Sequence, residues 1–565
     1  MPEQNNEKPC LVKSGQGFSV LYKNRYLYSR YDPSKNIQVA VDSLHILPGT
    51  VILACSPCLG LGLSELSVKL PENCMILGCE CDIELYNLAK EHINGKIPHF
   101  SLLSPSELSE LPVLFNKRSA VLKDGTELPQ PGTFRRAVRI DFSAGTQFSF
   151  QYYAILSRAV EQAIGLFWKN RVTLVKFGRK YSRNLFRNLS RLPCSLPADC
   201  SAYTVTEPLL VLGAGESMEN TAEEVIPLRN KFYIICVDTA FPALLPLGII
   251  PDAVVCEEAQ SVIAPAFFGM KDKTISLFTG ITSWPGIYDF LGKKGQISYF
   301  ATEYDDTLFF EHLVRGHILP AVIPPLGSVG LTAVYLALHL RTNDSIPIFV
   351  SGLDFSYSSG KTHVRGAPAH TARLSSGIRT LPATNYDAAF KYGAAEDTDK
   401  NGNTVYTTPV LLSYAQSFRG FFDAEKNVFD AGKKGIPLGL PHRNISSVQE
   451  TGTSTDDSAV TKPVQQSLPD KSKLIADFYN TEEKALRELR DILSHGQNMN
   501  EKLRNKRIKE LLTAREYLYL HFPDGYRLSL SPSFLKRIRA EIDFFLKDIH
   551  TGKQLLFHSS EKTGG

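Results

Sequence analysis

The sequence predicts an α/β protein with two parallel-sheet units followed by a C-terminal helical bundle. In the central part of the chain, an apolar strand runs into a turn containing Gly213 and Gly215, and the next apolar strand ends in Asp238. A similar order of elements ends at Glu80 nearer the N-terminus. Both patterns are typical of Rossmann-like units. From Leu474 onward, apolar residues recur at helical spacing, which indicates the bundle.

The length and composition indicate a folded protein of several domains. The chain has 565 residues, of which 43% are hydrophobic and 21% charged. A net charge of +4 gives no general argument for binding nucleic acid. The polar N-terminal segment lacks the apolar stretch of a signal peptide, and no apolar run reaches the roughly 20 residues that span a bilayer. We therefore expect a cytoplasmic protein without a membrane span and without a nucleic-acid partner.

Five segments are predicted along the chain. A short β element and a degenerate Rossmann-like unit occupy residues 1–134, and a helical connector occupies 135–204. The central nucleotide-binding domain covers 205–445. Residues 446–471 are rich in Ser, Thr and Asp and are predicted to be a flexible linker, followed by helices over 472–565. Strands of the central domain are expected near residues 208–213, 232–237, 252–257, 274–279 and 346–351.

The cysteines of the N-terminal unit allow two interpretations. Cys55 and Cys58 form one short-spaced pair, and Cys79 and Cys81 form another, as in some zinc or redox sites. Both pairs fall at strand ends without a nearby histidine, so we interpret them as small buried core residues. For the glycine turn of this unit we favour a scaffold or protein-recognition surface over a bound cofactor.

A basic stretch follows the N-terminal unit. The segment FGRKYSRNLFRNL continues a helical pattern and carries four Arg or Lys residues. This stretch is either a solvated helix face or a surface that approaches an anionic ligand, and the pattern favours the solvated face.

The central glycine turn is the first part of a predicted nucleotide site. Gly213 and Gly215 allow close approach of a phosphate, and Ser217 stands at a helix start whose amides attract anions. Glu216 lies in the same turn. Asp238 and Thr239 follow the next strand, where open α/β sheets bind ligands. The alternative for Asp238 is a helix N-cap.

Two further strand ends add polar residues. Glu257 and Glu258 follow a strand, and because adjacent side chains face opposite ways, at most one points into a given cleft. We favour Glu258, and interpret Asp252 as a turn residue.

A glycine-containing segment and a later strand complete the predicted site. Gly327 and Ser328 open a helix whose amides favour a phosphate or a carboxylate. Asp354 follows the strand IPIFVSG, and His363 lies just beyond it between Lys361 and Arg365. A histidine in this setting is a candidate base or anion ligand.

These motifs, taken together and in order, resemble the motility accessory factor (Maf) family of flagellin glycosyltransferases. That family shares a domain with the MptE-like 6-hydroxymethylpterin diphosphokinases. The segments that carry the resemblance are GAGESM, VDTAFPALLPLGIIPDAVVCEEA, PPLGSVGLTAVYLALHL, FVSGLDFSYSSGKTHVRG, NGNTVYTTPVLLSYAQSF and FDAGKKGIPLGLP, and the resemblance extends over residues 20–445.

The resemblance implies a sialyltransferase-like central domain. Such an enzyme transfers a nonulosonic acid from a CMP-activated donor to a hydroxyl, here a Ser or Thr of flagellin, in flagellar assembly and motility. The residues implied in binding the nucleotide are Gly213, Gly215, Glu216, Ser217, Asp238, Thr239, Glu258, Gly327 and Ser328, and those implied in catalysis are His363 and Asp354. No tightly bound cofactor and no protein-bound metal is expected, while Mg²⁺ is left open.

The chain departs from the family pattern at two positions. Glu216 stands where the family usually has proline, and Glu258 stands where an aspartate is usual. Two other functions therefore stay open. One is an MptE-like Mg-ATP-dependent diphosphokinase acting on a pterin alcohol, which requires clustered aspartates. The other is a non-catalytic flagellar adaptor, which the two glutamates favour slightly.

Overall fold

The computed structural model describes residues 8–93, 97–115, 120–129, 131–197, 205–302, 307–375, 377–380, 393–449, 471–495 and 500–563. It divides into two compact units: Met1–Lys176 with Leu520–Arg527 (unit 1), and Phe177–Tyr519 with Leu528–Gly565 (unit 2). The predicted α/β class is confirmed, because each unit has a parallel sheet with helices. Most of the predicted linker, residues 450–470, lies outside the described residues.

Unit 1 begins with a small antiparallel sheet and continues into a parallel one. Its strands are β1 (Cys10–Lys13), β2 (Phe18–Tyr22), β3 (Arg25–Tyr26), β4 (Thr50–Cys55), β5 (Met75–Cys79), β6 (Phe100–Leu103), β7 (Ala120–Val121), β8 (Glu127–Leu128) and β9 (Arg136–Asp141). Its helices are α1 (Lys35–Ser43), α2 (Leu63–Val68), α3 (Ile83–His92) and α4 (Pro105–Leu114), and α5 (Phe150–Leu189) begins in this unit. The parallel sheet has the order β6-β5-β4-β9.

The parallel sheet of unit 1 forms because its inner strands are apolar along their whole length. Every residue of β4 and β5 is buried, as expected for strands covered on both faces. Asp82 accepts hydrogen bonds from two amides at the start of α3, which fixes the start of that helix.

One strand of this sheet corrects the sequence prediction. The sequence predicts a helical connector over residues 135–204, but residues 136–141 form β9, which pairs in parallel with β4. Arg136 and Arg139 interrupt the apolar residues of β9, and its burial pattern is mixed, so the segment lacks the continuous apolar run of an inner strand.

Unit 2 is built on a larger parallel sheet. Its strands are β10 (Leu196–Pro197), β11 (Leu209–Leu212), β12 (Tyr233–Val237), β13 (Ala253–Cys256), β14 (Ser276–Gly280), β15 (Gln296–Thr302), β16 (Ala321–Ile323), β17 (Ile348–Ser351) and β20 (Val428–Asp430), with a separate hairpin of β18 (Ala395–Thr398) and β19 (Thr404–Thr407). The order is β10-β15-β14-β13-β12-β11-β17-β20, and β16 also pairs with β15. All pairings in the large sheet are parallel. The five predicted strands are confirmed.

Helices cover this sheet and continue into the C-terminal region. They are α6 (Met218–Val225), α7 (Phe241–Leu244), α8 (Leu308–Arg315), α9 (Val329–Leu340), α10 (Pro368–Ser375), α11 (Pro409–Phe422), α12 (Ser472–His495), α13 (Glu501–Thr513) and α14 (Pro532–Thr563). The predicted C-terminal helices are confirmed. Among the described residues, no helix combines the length and the apolar character needed to cross a membrane.

The basic stretch in the second half of α5 contacts α14. Arg179, Arg183 and Arg187 are spaced by four residues and therefore share one helix face. Arg179 donates to Glu541, with Nε 2.8 Å from Oε2. Arg183 Nε and Arg187 Nη2 donate to the two oxygens of Asp548 at 2.6 and 2.8 Å. These three arginines therefore form ion pairs inside unit 2, an outcome that neither sequence interpretation anticipated.

Candidate functional site

The predicted site residues lie at one edge of the unit 2 sheet. Strands β11, β12, β13 and β17 are parallel neighbours, so the segments that follow them lie at the same edge. These segments begin at Gly213, Asp238, Glu257 and Gly352. Ligands of open α/β sheets bind at this edge.

Two glycine-containing segments meet at the centre of this edge. A Cβ on Gly213 would overlap the carbonyl oxygen of Gly352, and a Cβ on Gly352, whose φ is +73°, would overlap that of Gly213. A Cβ on Gly215 would lie 2.6 Å from the Asp354 carboxylate. Glycine is therefore required here because two backbone segments approach each other closely.

The amides of the glycine turn are used within the protein. Gly213 N donates to Ser351 O and Gly215 N donates to Gly352 O, both at 2.8 Å. Ser217 N donates to Asp354 Oδ2 at 2.8 Å, and the Ser217 hydroxyl donates to the other carboxylate oxygen. The Asp354 carboxylate thus accepts the hydrogen bonds at the start of α6 that an anionic ligand would otherwise accept.

Asp354 is buried, with 5% exposure. Burial raises the pKa of its carboxyl to about 6, against the hydrogen bonds from Ser217. This geometry gives Asp354 a positioning role, since the carboxylate holds the glycine turn. The direct catalytic role that the family resemblance implies for Asp354 stays a prediction.

Glu216 projects from the glycine turn into a cluster of lysines. Its carboxylate accepts a hydrogen bond from Ser358 and lies 2.5 Å from Lys434 Nζ and 3.6 Å from Lys361 Nζ. Lys361 also lies 2.6 Å from Glu219. Burial opposes ionisation of Glu216, but these partners outweigh burial and lower its pKa.

Asp238 is held at the end of β12. Its Oδ1 accepts from the Thr239 amide at 2.6 Å and from the Thr239 hydroxyl at 2.8 Å. Burial raises the pKa of the Asp238 carboxyl. Helix α7 begins after Ala240, which makes no side-chain cap, so the alternative of Asp238 as that helix's N-cap is not observed.

The two glutamates after β13 have different surroundings. Glu258 Oε1 accepts from the Gln260 amide at 2.8 Å, a local turn contact. Glu257 accepts from the Thr332 hydroxyl at 2.9 Å and from the Thr302 hydroxyl at 3.3 Å. Glu257 therefore links β13 to β15 and α9, a connection that the sequence prediction missed because it selected the neighbouring glutamate. Burial raises the pKa of Glu257.

Asp252 has the structural role predicted for it. Its Oδ2 accepts from the Ile234 amide at 2.7 Å and from Arg229 at 2.9 Å. These bonds join the segment before β13 to β12 and Arg229, as expected for a turn residue.

Helix α9 starts at the same edge. Gly327 has a φ of +80°, and the Ser328 hydroxyl accepts from the Gly330 amide at 3.3 Å, as an N-cap does. A Cβ on Gly330 would overlap Leu353, so the first turn of α9 packs against the segment after β17. The structure confirms the prediction that a helix starts at Gly327 and Ser328.

His363 lies on a loop that rests on the glycine turn. The next residue, Val364, donates its amide to Ala214 O at 2.9 Å. His363 Nδ1 lies 3.2 Å from the Thr362 hydroxyl oxygen, and that oxygen accepts a hydrogen bond from Arg373. Burial, together with the charges of Arg373 and His370, lowers the pKa of His363. This lowering favours the neutral imidazole, which is the form that can accept a proton.

Helix α5 supplies site-supporting residues that the sequence prediction missed. Asn184 donates to the carbonyls of Ala259 and Thr282 at 3.0 and 2.9 Å. Asn188 donates to the carbonyls of Ile281 and Ser283, both at 2.9 Å. The two asparagines thereby fix the loops that follow β13 and β14. Their four-residue spacing on one helix face was visible in the sequence, but their partners were not.

The corresponding edge of unit 1 is filled by its own side chains. Glu80 accepts from the Ser56 hydroxyl at 2.8 Å and the Tyr153 hydroxyl at 3.0 Å. Ser56 and Cys58 both adopt positive φ, at 49° and 44°. Burial raises the pKa of Glu80 to about 7. This arrangement fits the interpretation of the unit as a scaffold.

The cysteines of unit 1 are free thiols. Cys55, Cys58 and Cys79 are buried, and burial raises the pKa of Cys55 and of Cys58 to about 12. A high pKa and the lack of exposure make these thiols poor nucleophiles. Over the whole described part of the chain, no three His, Cys, Asp or Glu side chains are grouped so that they could hold a metal ion.

Comparison with known sequences gives three findings. Residues 180–360 match the family described as 6-hydroxymethylpterin diphosphokinase MptE-like. An uncharacterized protein of Treponema pallidum (strain Nichols) is 30% identical over 567 aligned residues, which cover 95% of this chain and 94% of that protein. A second uncharacterized protein of the same organism is 33% identical over 88 residues, which cover 16% of this chain and 41% of that protein.

A solved structure shares the fold. The structure of a Maf glycosyltransferase from Magnetospirillum magneticum AMB-1 has a TM-score of 0.52 and 14% sequence identity, over 98% of this chain and 92% of that one. The resemblance suspected from the sequence motifs is thereby confirmed, through the MptE-like match and the shared fold.

Proposed function

We propose that this chain, which belongs to the same family as the Treponema pallidum protein and contains an MptE-like domain, is a nucleotide-sugar glycosyltransferase. The observation that carries the proposal is the convergence of four elements at one sheet edge: the glycine turn, Asp238, the capped start of α9 and the His363 loop. The fold shared with a Maf glycosyltransferase supports the same class of reaction.

The finer part of the proposal concerns the substrates. The donor is a CMP-activated nonulosonic acid, and the acceptor is a Ser or Thr hydroxyl of flagellin in the cytoplasm. His363 accepts the proton of the acceptor hydroxyl while the hydroxyl oxygen bonds to the anomeric carbon. The bond from that carbon to the phosphate oxygen breaks, and CMP leaves with the electron pair. The lowered pKa of His363 supports its role as the base.

The first experiment is a thermal-shift assay with CMP, CDP, UDP, ADP and ATP, each with and without Mg²⁺. A ligand that binds the folded state alone raises the melting temperature. We expect CMP to raise the melting temperature of the wild type, and Asp238→Ala to abolish this shift. Asp272→Ala, at an exposed position of unit 2, is the matched control and should behave as the wild type.

A transfer assay then tests the acceptor and the base. Wild-type protein should move the sugar from a CMP-nonulosonate to flagellin, and His363→Ala should lower the rate at least about 100-fold without weakening CMP binding. If no nucleotide raises the melting temperature of the wild type, the proposal is wrong and a non-catalytic flagellar adaptor is favoured.

The diphosphokinase remains the second candidate because residues 180–360 match the MptE-like family. Its test is the formation of AMP from Mg-ATP and 6-hydroxymethylpterin. A thermal shift that requires ATP together with Mg²⁺, followed by AMP release, would favour the diphosphokinase over the glycosyltransferase.

A further inference from the structure

The glycine turn leaves few main-chain groups for an anion. The amides of Gly213, Gly215 and Ser217 donate to oxygens of the protein itself. In many nucleotide-binding folds, amides of such a turn neutralise the ligand's phosphate. A phosphate bound at this turn must therefore draw much of its stabilisation from side chains.

Two lysines supply positive charge at this position. Lys361 lies on the loop after β17, and Lys434 lies on the segment after β20. Each loop is anchored beside the turn: Val364 N donates to Ala214 O, and a Cβ on Gly435 would lie 2.5 Å from Asp354 Cα. The two ammonium groups therefore meet at the glycine turn from different segments of the chain.

The carboxylate between these lysines belongs to the turn itself. Glu216 lies 2.5 Å from Lys434 Nζ and 3.6 Å from Lys361 Nζ, and its side chain is 11% exposed. Lys434 is 43% exposed and Lys361 is 26% exposed, so both lysine side chains reach the surface of unit 2. Glu216 thus pairs with Lys434 and lies beside Lys361, which also pairs with Glu219 on α6 at 2.6 Å. A phosphate that enters must compete with Glu216 for both lysines.

We infer that Lys361 and Lys434 bind the phosphate of the nucleotide, and that Glu216 is a tethered competitor that the phosphate displaces from them. The inference rests on the proposed nucleotide site, and it adds the source of positive charge and a residue that limits affinity. It also gives a role to the glutamate that replaces the usual proline. The cost of displacing Glu216 lowers the affinity for a phosphate-bearing ligand, whereas a ligand without a phosphate leaves Glu216 in place and is unaffected.

A neighbouring ion pair provides a matched control. Lys433 adjoins Lys434 in sequence but pairs with Glu224 on α6. The Lys433 and Lys434 side chains are 48% and 43% exposed, so the two substitutions remove the same charge from similar surroundings. A nonspecific electrostatic effect would therefore affect both variants alike.

The test is calorimetric titration with CMP and with cytidine, which lacks the phosphate. Lys434→Met and Lys361→Met should each weaken CMP binding about tenfold, whereas Lys433→Met should leave it unchanged. Glu216→Gln should strengthen CMP binding about tenfold, because the competing charge is removed. Cytidine affinity should be the same in all four variants. Lys434→Arg keeps the charge and should retain most of the CMP affinity.

Two results would overturn the inference in distinguishable ways. If the wild type binds CMP but the lysine and Glu216 variants bind it equally well, the phosphate lies elsewhere and the proposed function stands. If the wild type binds neither CMP nor any of the other nucleotides, both the inference and the proposed function are wrong. Thermal unfolding of each variant verifies that a loss of binding does not reflect a loss of folding.

Discussion

Burial strongly raises the pKa of one carboxyl group of unit 1, that of Glu80. Its carboxyl group is 1% exposed at the end of β5 and accepts hydrogen bonds from Ser56, Tyr153 and the Asp82 amide. Burial raises its pKa to about 7, against these hydrogen bonds. In an unfolded chain the pKa of glutamate is about 4.3.

This difference predicts a pH dependence of stability. Because the folded state binds the proton more tightly, the free energy of unfolding falls as pH rises from about 4.3 to about 7, and then levels off. Glu80→Gln removes the titrating group while keeping hydrogen-bonding atoms. Between pH 5 and pH 8, we expect the free energy of unfolding to fall by about 2–3 kcal/mol less in the variant than in the wild type.

Urea unfolding followed by tryptophan fluorescence measures this difference. The chain has two tryptophans, Trp168 in unit 1 and Trp284 in unit 2, so a Trp284→Phe background reports unit 1. Glu65→Gln, at an exposed position of α2, is the control and should follow the wild-type pH profile. Parallel profiles for wild type and Glu80→Gln would show that Glu80 does not titrate in this range.

At the scale of elements, the two asparagines of α5 determine how the loops of the candidate site are held. Asn188 is 1% exposed and donates to two carbonyls of the loop after β14. Asn188→Ala leaves both carbonyls without this donor, which should destabilise the loop by about 2–4 kcal/mol. Hydrogen exchange of residues 281–284 measures the loss, since local opening exposes their amides.

The same helix offers a control for this substitution. Asn170 is exposed on α5, so Asn170→Ala changes helix propensity without removing a loop contact. Its exchange rates at residues 281–284 should equal those of the wild type. Equal protection in Asn188→Ala would mean that other contacts hold the loop.

The elements themselves could be predicted from sequence to different degrees. Strands β11, β12 and β13 are continuous apolar runs that end in Gly, Asp or Glu, so both their positions and their functional ends were predictable. Strand β20 has three residues, and β9 contains two arginines, so neither carries a recognisable pattern. Such strands form because neighbouring strands complete their hydrogen bonds, a property that local sequence does not encode.

The residues of the candidate site could likewise be predicted from the sequence only in part. The positions of Gly213, Asp238 and Ser328 at the sheet edge follow from the strand order, which motifs reveal. The role of Asp354 under the glycine turn and the link from Glu257 to α9 depend on contacts between distant segments. Those contacts required the structure.

At the scale of the whole molecule, buried carboxylates of α14 form ion pairs with arginines of α5 within unit 2. Asp548 is 1% exposed and accepts from Arg183 and Arg187. Asp548→Asn leaves two guanidinium groups without their charge partner. Because both arginines are about one-third to two-fifths exposed, solvent compensates in part, and we expect a loss of about 2–3 kcal/mol in the stability of unit 2.

A nearby ion pair on the same helix calibrates this prediction. Asp543 is 68% exposed and lies 3.4 Å from Arg490, so Asp543→Asn should change stability by less than about 0.5 kcal/mol. Urea unfolding monitored by Trp284 in a Trp168→Phe background reports unit 2 in both variants. Equal midpoints for the two variants would show that the Asp548 pairs contribute little.

The division of the chain between the units bears on how the protein is made. Residues 520–527 belong to unit 1, although they follow most of unit 2 in sequence. Within unit 1, Arg171 donates to the carbonyl of Leu520 at 2.6 Å, and Tyr526 packs edge-on against Trp168 with ring centroids 5.4 Å apart. During synthesis on the ribosome, unit 1 therefore emerges first but lacks these contacts until residue 527 has been added. A nascent chain halted before that point should expose Trp168 and recruit chaperones, because translation must pass residue 527 before unit 1 is complete.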